Sequence, residues 1–306
     1  MASSGKGNAH DSTYRECQQK FYLGYKRGLT LIGAGKAPPL IVGEACHAYA
    51  QTIINAWIAG VRDLNEVLDD AMAIYAKIVG EWDPDDFKMQ ERHELAVCVL
   101  PLWAMRQWAR FISGEETPIA TELDLSLRLP QKTVWGDIPD HLATYTGRID
   151  YVYRRRDGMV GIRDHKFTAA SSPMEEAKHY FMSDQHLGYV YLWNAGIADE
   201  ERYDLDRASF VSYEFTRLHK NVTSASAWHL EDRNVDDAQL LSWFNRTVHL
   251  RAEMAAKWDK PAEAWMMNTA PHGPCIKFGR SCEFRDLCER PADRVLLEET
   301  RYEHAT

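Results

Sequence analysis

Cysteine is scarce in this 306-residue chain, with six residues too few and too scattered for a disulfide scaffold. Long apolar runs are missing as well. No stretch approaches the ~20 residues that span a bilayer, and the opening MASSGKGNAHDSTY has no apolar middle of the kind a signal peptide needs. The expectation is a soluble, intracellular (cytoplasmic) protein with no membrane partner. Positive charge is also short: 36 Lys and Arg against 45 Asp and Glu leave a formal net charge of −9. That argues against broad electrostatic attraction to nucleic acid. It leaves room for an enzyme whose carboxylates meet phosphate through metal ions, the more so because Arg148, Arg154, Arg155, Arg156 and Arg163 gather in one stretch. No Gly-x4-Gly-Lys-Ser/Thr segment occurs, so ATP is not expected to drive this chain.

What is present is an ordinary globular composition, 45% hydrophobic and 26% charged. Residues 1–13 are small and polar and read as a disordered tail. From Tyr14 to Tyr25 the spacing of Tyr14, Cys17, Phe21 and Tyr25 predicts a short helix. Glycine and proline in 28–39 predict a loop. Helices are expected at about 41–59, 63–80 and 88–113. After Pro118 the pattern changes. Residues 119–129, 143–153 and 159–167 carry strand signatures, and Arg156-Asp157-Gly158 between the last two predicts a hairpin turn. Ser172-Pro173-Met174-Glu175 resembles a capping box opening a helix that runs to about Asn194. A strand at 207–217 and a helix at 235–258 follow. The expected fold is α/β, a mixed central sheet flanked by helices, with a helical insert before it. One domain over 14–290 is expected: a helical part at 14–117, an α/β core at 118–260 and a cysteine-bearing segment at 261–290, with 291–306 as a C-terminal tail.

The chemistry concentrates in Gly147-Arg148-Ile149-Asp150, thirteen residues, and then Asp164-His165-Lys166. Residues two apart on a strand share a face, so Asp164 and Lys166 project together. Asp150 lies on the partner strand and is expected opposite about residue 165. Two carboxylates with a backbone carbonyl, that of His165, suit Mg²⁺ or Mn²⁺. Lys166 beside such an ion can orient a water or stabilise developing negative charge.

Gly-x-x-Asp, a hairpin and Asp-x-Lys together resemble the core motif of the PD-(D/E)XK nuclease superfamily, whose core is restriction-endonuclease-like. Three further features resemble its RecB-like, exonuclease V-like branch. Gly43-Glu44-Ala45-Cys46-His47 is similar to that branch's Gly-x-x-x-His and implies His47 as a metal ligand. Gln185-x-x-x-Tyr189 is similar to its Gln-x-x-x-Tyr and implies that both side chains face the site. Cys17 with Cys275, Cys282 and Cys288 resembles its split arrangement of one early and three late cysteines around a [4Fe–4S] cluster, a clasp at the C-terminal end. The late spacing here, Cys-x6-Cys-x5-Cys, is wider than the two-residue gap common in that branch.

The resemblance implies a metal-dependent nuclease acting on DNA, from single-stranded or frayed ends, in recombination, repair or phage DNA processing, with protein partners in a recombination or replication complex. Other readings stay open. Zn²⁺ could take the four thiolates, or three could be buried thiols. Glu122 could join the acidic set or face solvent. Arg154–Arg156 could be a solvated turn or touch phosphate. The whole chain could be a non-catalytic nucleic-acid-binding or assembly module of the same fold, a zinc-bound adaptor, or a hydrolase of another phosphoester.

Overall fold

A computed structural model describes residues 7–32, 37–80, 86–169, 180, 184–196, 206–219, 227–267, 275–277 and 280–304. The elements in chain order are α1 (Asn8–Glu16), α2 (Gln18–Phe21), β1 (Leu29–Leu31), α3 (Pro38–Ile58), α4 (Asn65–Val79) and α5 (Phe87–Ile112). Then come β2 (Glu116–Arg128), β3 (Lys132–Thr133), β4 (Gly136–Asp137), β5 (Thr144–Arg155), β6 (Val160–Thr168), α6 (Gln185–Gly196), β7 (Ala208–Arg217) and β8 (Trp228–Asn234). The chain ends with α7 (Asp237–Lys257), β9 (Ile276–Lys277), β10 (Arg280–Ser281), α8 (Arg285–Glu289), α9 (Arg294–Arg301) and β11 (Tyr302–His304). The capping-box segment at 172–175 lies outside the described residues.

Contacts divide the chain into two compact units. One comprises Lys36–Leu125 and Arg148–Trp243; the other comprises Met1–Gly35, Ser126–Gly147 and Phe244–Thr306. The main sheet has the order β2-β5-β6-β7-β8. β5 and β6 are antiparallel, β6 and β7 parallel, β7 and β8 antiparallel, so the sheet is mixed. The parallel pair needs a crossover, and α6 lies in that connection.

Sequence periodicity explains the larger helices. In α3, Val42, Cys46, Tyr49, Ile53 and Ile54 recur at helical spacing and are buried. Asp86 caps α5 by accepting the backbone N–H groups of Lys88 and Met89, each at 3.1 Å. Gly80, at φ 65° and ψ −162°, ends α4 in a positive-φ conformation open mainly to glycine. Tyr49, Ile53, Trp103, Tyr151, Tyr153 and Phe210 join α3, α5 and the sheet in one core.

Close packing also fixes β6. A Cβ on Gly161 would lie 2.2 Å from Cζ of Phe210, so only hydrogen fits beneath that ring. Gly161→Ala is expected to cost about 1–3 kcal/mol through overpacking. Urea unfolding measures it, and Phe210→Leu in the same chain should recover part of the loss.

The second unit departs from the sequence expectation at both termini. α1 begins at Asn8, inside the stretch expected as a tail, and His10 and Asp11 are buried. The reason is an ion pair remote in sequence: Asp11 Oδ1 lies 2.8 Å from Nη2 of the fully buried Arg251. The expected helix from Tyr14 breaks at Cys17, which is extended at φ −159°, and ends in a π-helical turn over Tyr22–Lys26. At the other end α9 leads into β11, which pairs with β1 (Leu31↔Tyr302). Tyr302 stacks on Phe284 at 5.8 Å.

Candidate active site

The hairpin of β5 and β6 sets the geometry. Its loop has three residues, not two. Arg155 and Met159 close it (N–H to O, 2.9 Å), and Gly158 takes the left-handed position at φ 88°. The pairing is therefore Tyr151↔Arg163, which carries Asp150 opposite Asp164 instead of residue 165. The one-residue difference is decisive, because cross-strand partners share a face and a slip of one reverses it. With this register Asp150, Asp164 and Lys166 project together.

Asp164 is 1% exposed. Its Oδ1 lies 2.6 Å from Nζ of Lys166, and apart from that ion pair neither carboxylate oxygen has a hydrogen-bond partner among the described residues. Burial raises the Asp164 carboxyl to about 6; Asp150 adds to the rise and Lys166 opposes it. Burial pulls the Lys166 ammonium down, but Asp164 and Asp150 outweigh that and hold it protonated. Lys166 Nζ also sits 4.8 Å from the ring centre of Tyr180.

Asp150 Oδ2 accepts the backbone N–H of His165 at 3.0 Å and lies 3.4 Å from Nδ1 of His47, on α3. The same His47 nitrogen is 3.7 Å from Oε1 of Glu122. Ligand atoms of His47, Glu122 and Asp150 all fall within 4.8 Å of one another, a group able to hold a metal ion. Glu122 is the one non-glycine residue with positive φ, at 48°, among the described residues. Such backbone is costly and collects at functional sites. Burial lowers the basicity of His47, but Asp150 and Glu122 reverse this and raise it. The imidazole nitrogen of His47 and the carboxylates of Glu122 and Asp150 form a mainly oxygen donor set, which fits Mg²⁺ or Mn²⁺; Asp164 lies outside that group, paired with Lys166.

Gln185 and Tyr189 lie one turn apart on α6, and Gln185 Nε2 donates to the Tyr189 hydroxyl at 2.7 Å. Burial raises the Tyr189 phenol well above its usual range, and the charges of Asp164 and Asp150 raise it further, so it remains a proton donor. The His165 imidazole points to the opposite face, 3.0 Å from Glu214, so only its backbone can serve the site. Arg154, Arg155 and Arg156 are engaged locally, with Asp206, Asp157 and the Ser113 carbonyl respectively.

A stability consequence follows with a definite sign. Metal-free folded protein keeps a proton on Asp164 up to about pH 6, whereas the unfolded chain releases it near 3.8. The folded state binds more protons in that window, so stability should fall as pH rises from about 4 to about 6. His47, raised above 6.5, acts in the same direction in a higher window. Thermal melts of metal-free wild type and Asp164→Asn should differ in slope between about pH 4 and 6, the variant being flatter.

A profile of the PD-(D/E)XK nuclease superfamily matches residues 10–289. The chain belongs to the PD-(D/E)XK nuclease superfamily. The match spans both compact units, and the mixed five-stranded sheet with flanking helices agrees with the superfamily core. No curated protein matches this chain significantly. Among solved structures, a candidate exonuclease from Eubacterium rectale is 10% identical with a TM-score of 0.38, over 90% of this chain and 88% of its own. A protein named SSO0001 is 12% identical with a TM-score of 0.25, over 53% of this chain and 68% of its own. No described helix is long and apolar enough to cross a membrane.

The four cysteines singled out in sequence all lie in the unit that holds both termini, but among the described residues none of them belongs to a group able to hold a metal ion. Cys17 is buried between α1 and α2, where its Sγ accepts the N–H of Lys20 at 3.4 Å. The Cys282 N–H donates to the Cys275 carbonyl at 2.8 Å. Burial, with Cys17, Cys282 and Cys275 nearby, pushes the Cys288 thiol up to about 12.

Proposed function

We propose that this chain is a metal-dependent nuclease that hydrolyses DNA phosphodiester bonds, acting on single-stranded or frayed ends. The observation that carries the reading is the convergence of Asp150, Asp164 and Lys166 on one face of the β5–β6 hairpin, with His47 and Glu122 against Asp150. His47, Asp150 and Asp164, with the His165 carbonyl, would hold Mg²⁺ or Mn²⁺, and Glu122 joins them. Such an ion supplies a water acidic enough to ionise near neutral pH and a counter-charge for the phosphate. Lys166 keeps its proton, orients the attacking water and meets negative charge as it develops. Tyr189, held by Gln185, offers a neutral hydroxyl to a phosphate oxygen or to Lys166.

The test is cleavage of end-labelled single-stranded DNA under a Mn²⁺ titration. EDTA should abolish cleavage, and His47→Ala should raise the half-saturating Mn²⁺ concentration by about tenfold or more. Cleavage indifferent to EDTA would remove the reading. Inert wild type that still binds DNA would favour the non-catalytic module.

Cys17, Cys275, Cys282 and Cys288 are read as ligands of a [4Fe–4S] cluster, the RecB-like, exonuclease V-like arrangement, with Zn²⁺ as the competing occupant. The support is the likeness of their order, one early and three late cysteines, to that arrangement and the absence from the sequence of the Cys-x2-4-Cys pairs usual for zinc. A cluster joining residues so distant in sequence would close a large loop and act as a clasp. Protein purified without oxygen should carry iron and sulfide with visible absorbance. Stoichiometric zinc without iron would overturn the assignment.

A further inference from the structure

Beneath the catalytic face of β6 lies a chain of buried charges that the chemistry above does not use. Arg163 and His165 alternate with Asp164 and Lys166, so they point to the opposite face. There Arg163 grips Glu116 with both terminal nitrogens, at 2.9 and 2.7 Å, and donates to the Tyr153 hydroxyl at 3.1 Å. His165 Nδ1 meets Glu214 Oε2 at 3.0 Å. Glu214 in turn takes Arg110 Nη1 at 2.7 Å and Trp103 Nε1 at 3.3 Å. Arg110, Glu116, Arg163, His165 and Glu214 are all buried. Taking such groups out of water is expensive, and well-packed apolar residues would often serve stability as well.

The backbone shows what the arrangement can do. The β5–β6 ladder starts at Tyr151↔Arg163. At His165 the backbone N–H is instead taken by the Asp150 side chain, at 3.0 Å. In a strand the N–H and C=O of one residue project to the same side. The His165 carbonyl therefore faces the gap where Asp150 and His47 sit. The other edge of β6 runs in the parallel ladder to β7, with His165 opposite Glu214; on the β5 side the Asp150 bond stands in for the ladder, and the imidazole of the same residue is tied to Glu214 on the far face.

We infer that the His165–Glu214–Arg110 chain is a positioning device that fixes the His165 peptide against Asp150 and keeps Asp164 and Lys166 in register on the other face. The inference rests on the proposed nuclease site, but its first readout needs neither metal nor activity. His165 is a positioning residue here. His165→Leu removes the tether while filling the space; His165→Asn keeps a polar atom near the Nδ1 position.

The experiment is amide hydrogen exchange at residue 165 in metal-free protein, followed by the half-saturating Mn²⁺ concentration for DNA cleavage. Exchange in His165→Leu should be at least about tenfold faster than in wild type, the Mn²⁺ requirement should rise by about tenfold, and His165→Asn should recover most of both. If the leucine variant does not fold, Trp103→Phe, which removes the indole bond to Glu214 and trims the ring that packs edge-on against His165 at 5.3 Å, reads the same amide. Faster exchange there supports the inference and unchanged exchange overturns it. Wild-type exchange and Mn²⁺ requirement in folded His165→Leu overturn it, as does an asparagine variant no better than leucine. Fast exchange in the leucine variant with no cleavage by wild type leaves the positioning role standing and removes the nuclease reading instead.

Discussion

Lys166→Ala is expected to slow DNA cleavage about a thousandfold while leaving the fold intact. Lys166 is partly exposed, with 20% of its side chain accessible, so its removal opens no large cavity. Its charge is the one cation within ion-pair distance of Asp164 among the described residues. The loss should appear in kcat more than in KM, because the ammonium meets charge that develops only in the transition state. A second consequence follows from the ion pair. Lys166 opposes the effect of burial on Asp164, so in the metal-free variant the carboxyl should titrate higher still and compete more strongly with metal binding at low pH. Residual activity of the variant should therefore rise with pH more steeply than that of wild type. Single-turnover cleavage from pH 6 to 9 reads both effects. Equal rates for variant and wild type would place the activity elsewhere.

Arg163→Met should be the most damaging of these substitutions for stability, by about 3 kcal/mol or more. The side chain is 1% exposed, and its loss strands Glu116, which is 3% exposed. Glu116 keeps Gln107 Nε2 at 2.8 Å and Arg110 at 3.7 Å, so the penalty is partly relieved. The sign of the coupling separates this account from simple loss of packing. Adding Glu116→Leu removes the stranded charge, so the double variant should be more stable than Arg163→Met alone. Urea denaturation of the four proteins in the cycle measures it. Additive losses would mean that the pair is not the source.

The hairpin and its three chemical side chains were legible because strand alternation and an Asp-Gly turn are local signals. The register was legible only to within one residue. A loop of two or three residues leaves the same sequence mark, and the left-handed Gly158 is what decides between them. For Glu122 the sequence left the acidic set and solvent both open, since a positive φ inside a strand leaves no mark on its neighbours. The early helices were legible from apolar spacing. α1 was not, because the burial of His10 and Asp11 depends on Arg251, far along the chain. β8 escaped because His-Leu-Glu-Asp-Arg-Asn lacks a strand pattern; it is set by pairing with β7. Nothing local in the sequence marks Arg163, Glu116, Arg110 and Glu214 as buried, and only the fold shows them meeting beneath β6.

The central claim is that Asp150, Asp164 and Lys166 form one metal-dependent phosphodiesterase site. The most direct measurement compares wild type and Asp164→Asn on end-labelled single-stranded DNA with Mn²⁺, both proteins shown to be folded by circular dichroism. The account predicts cleavage by wild type, suppressed by EDTA, and none detectable from the asparagine variant. Equal cleavage by the two proteins would contradict it.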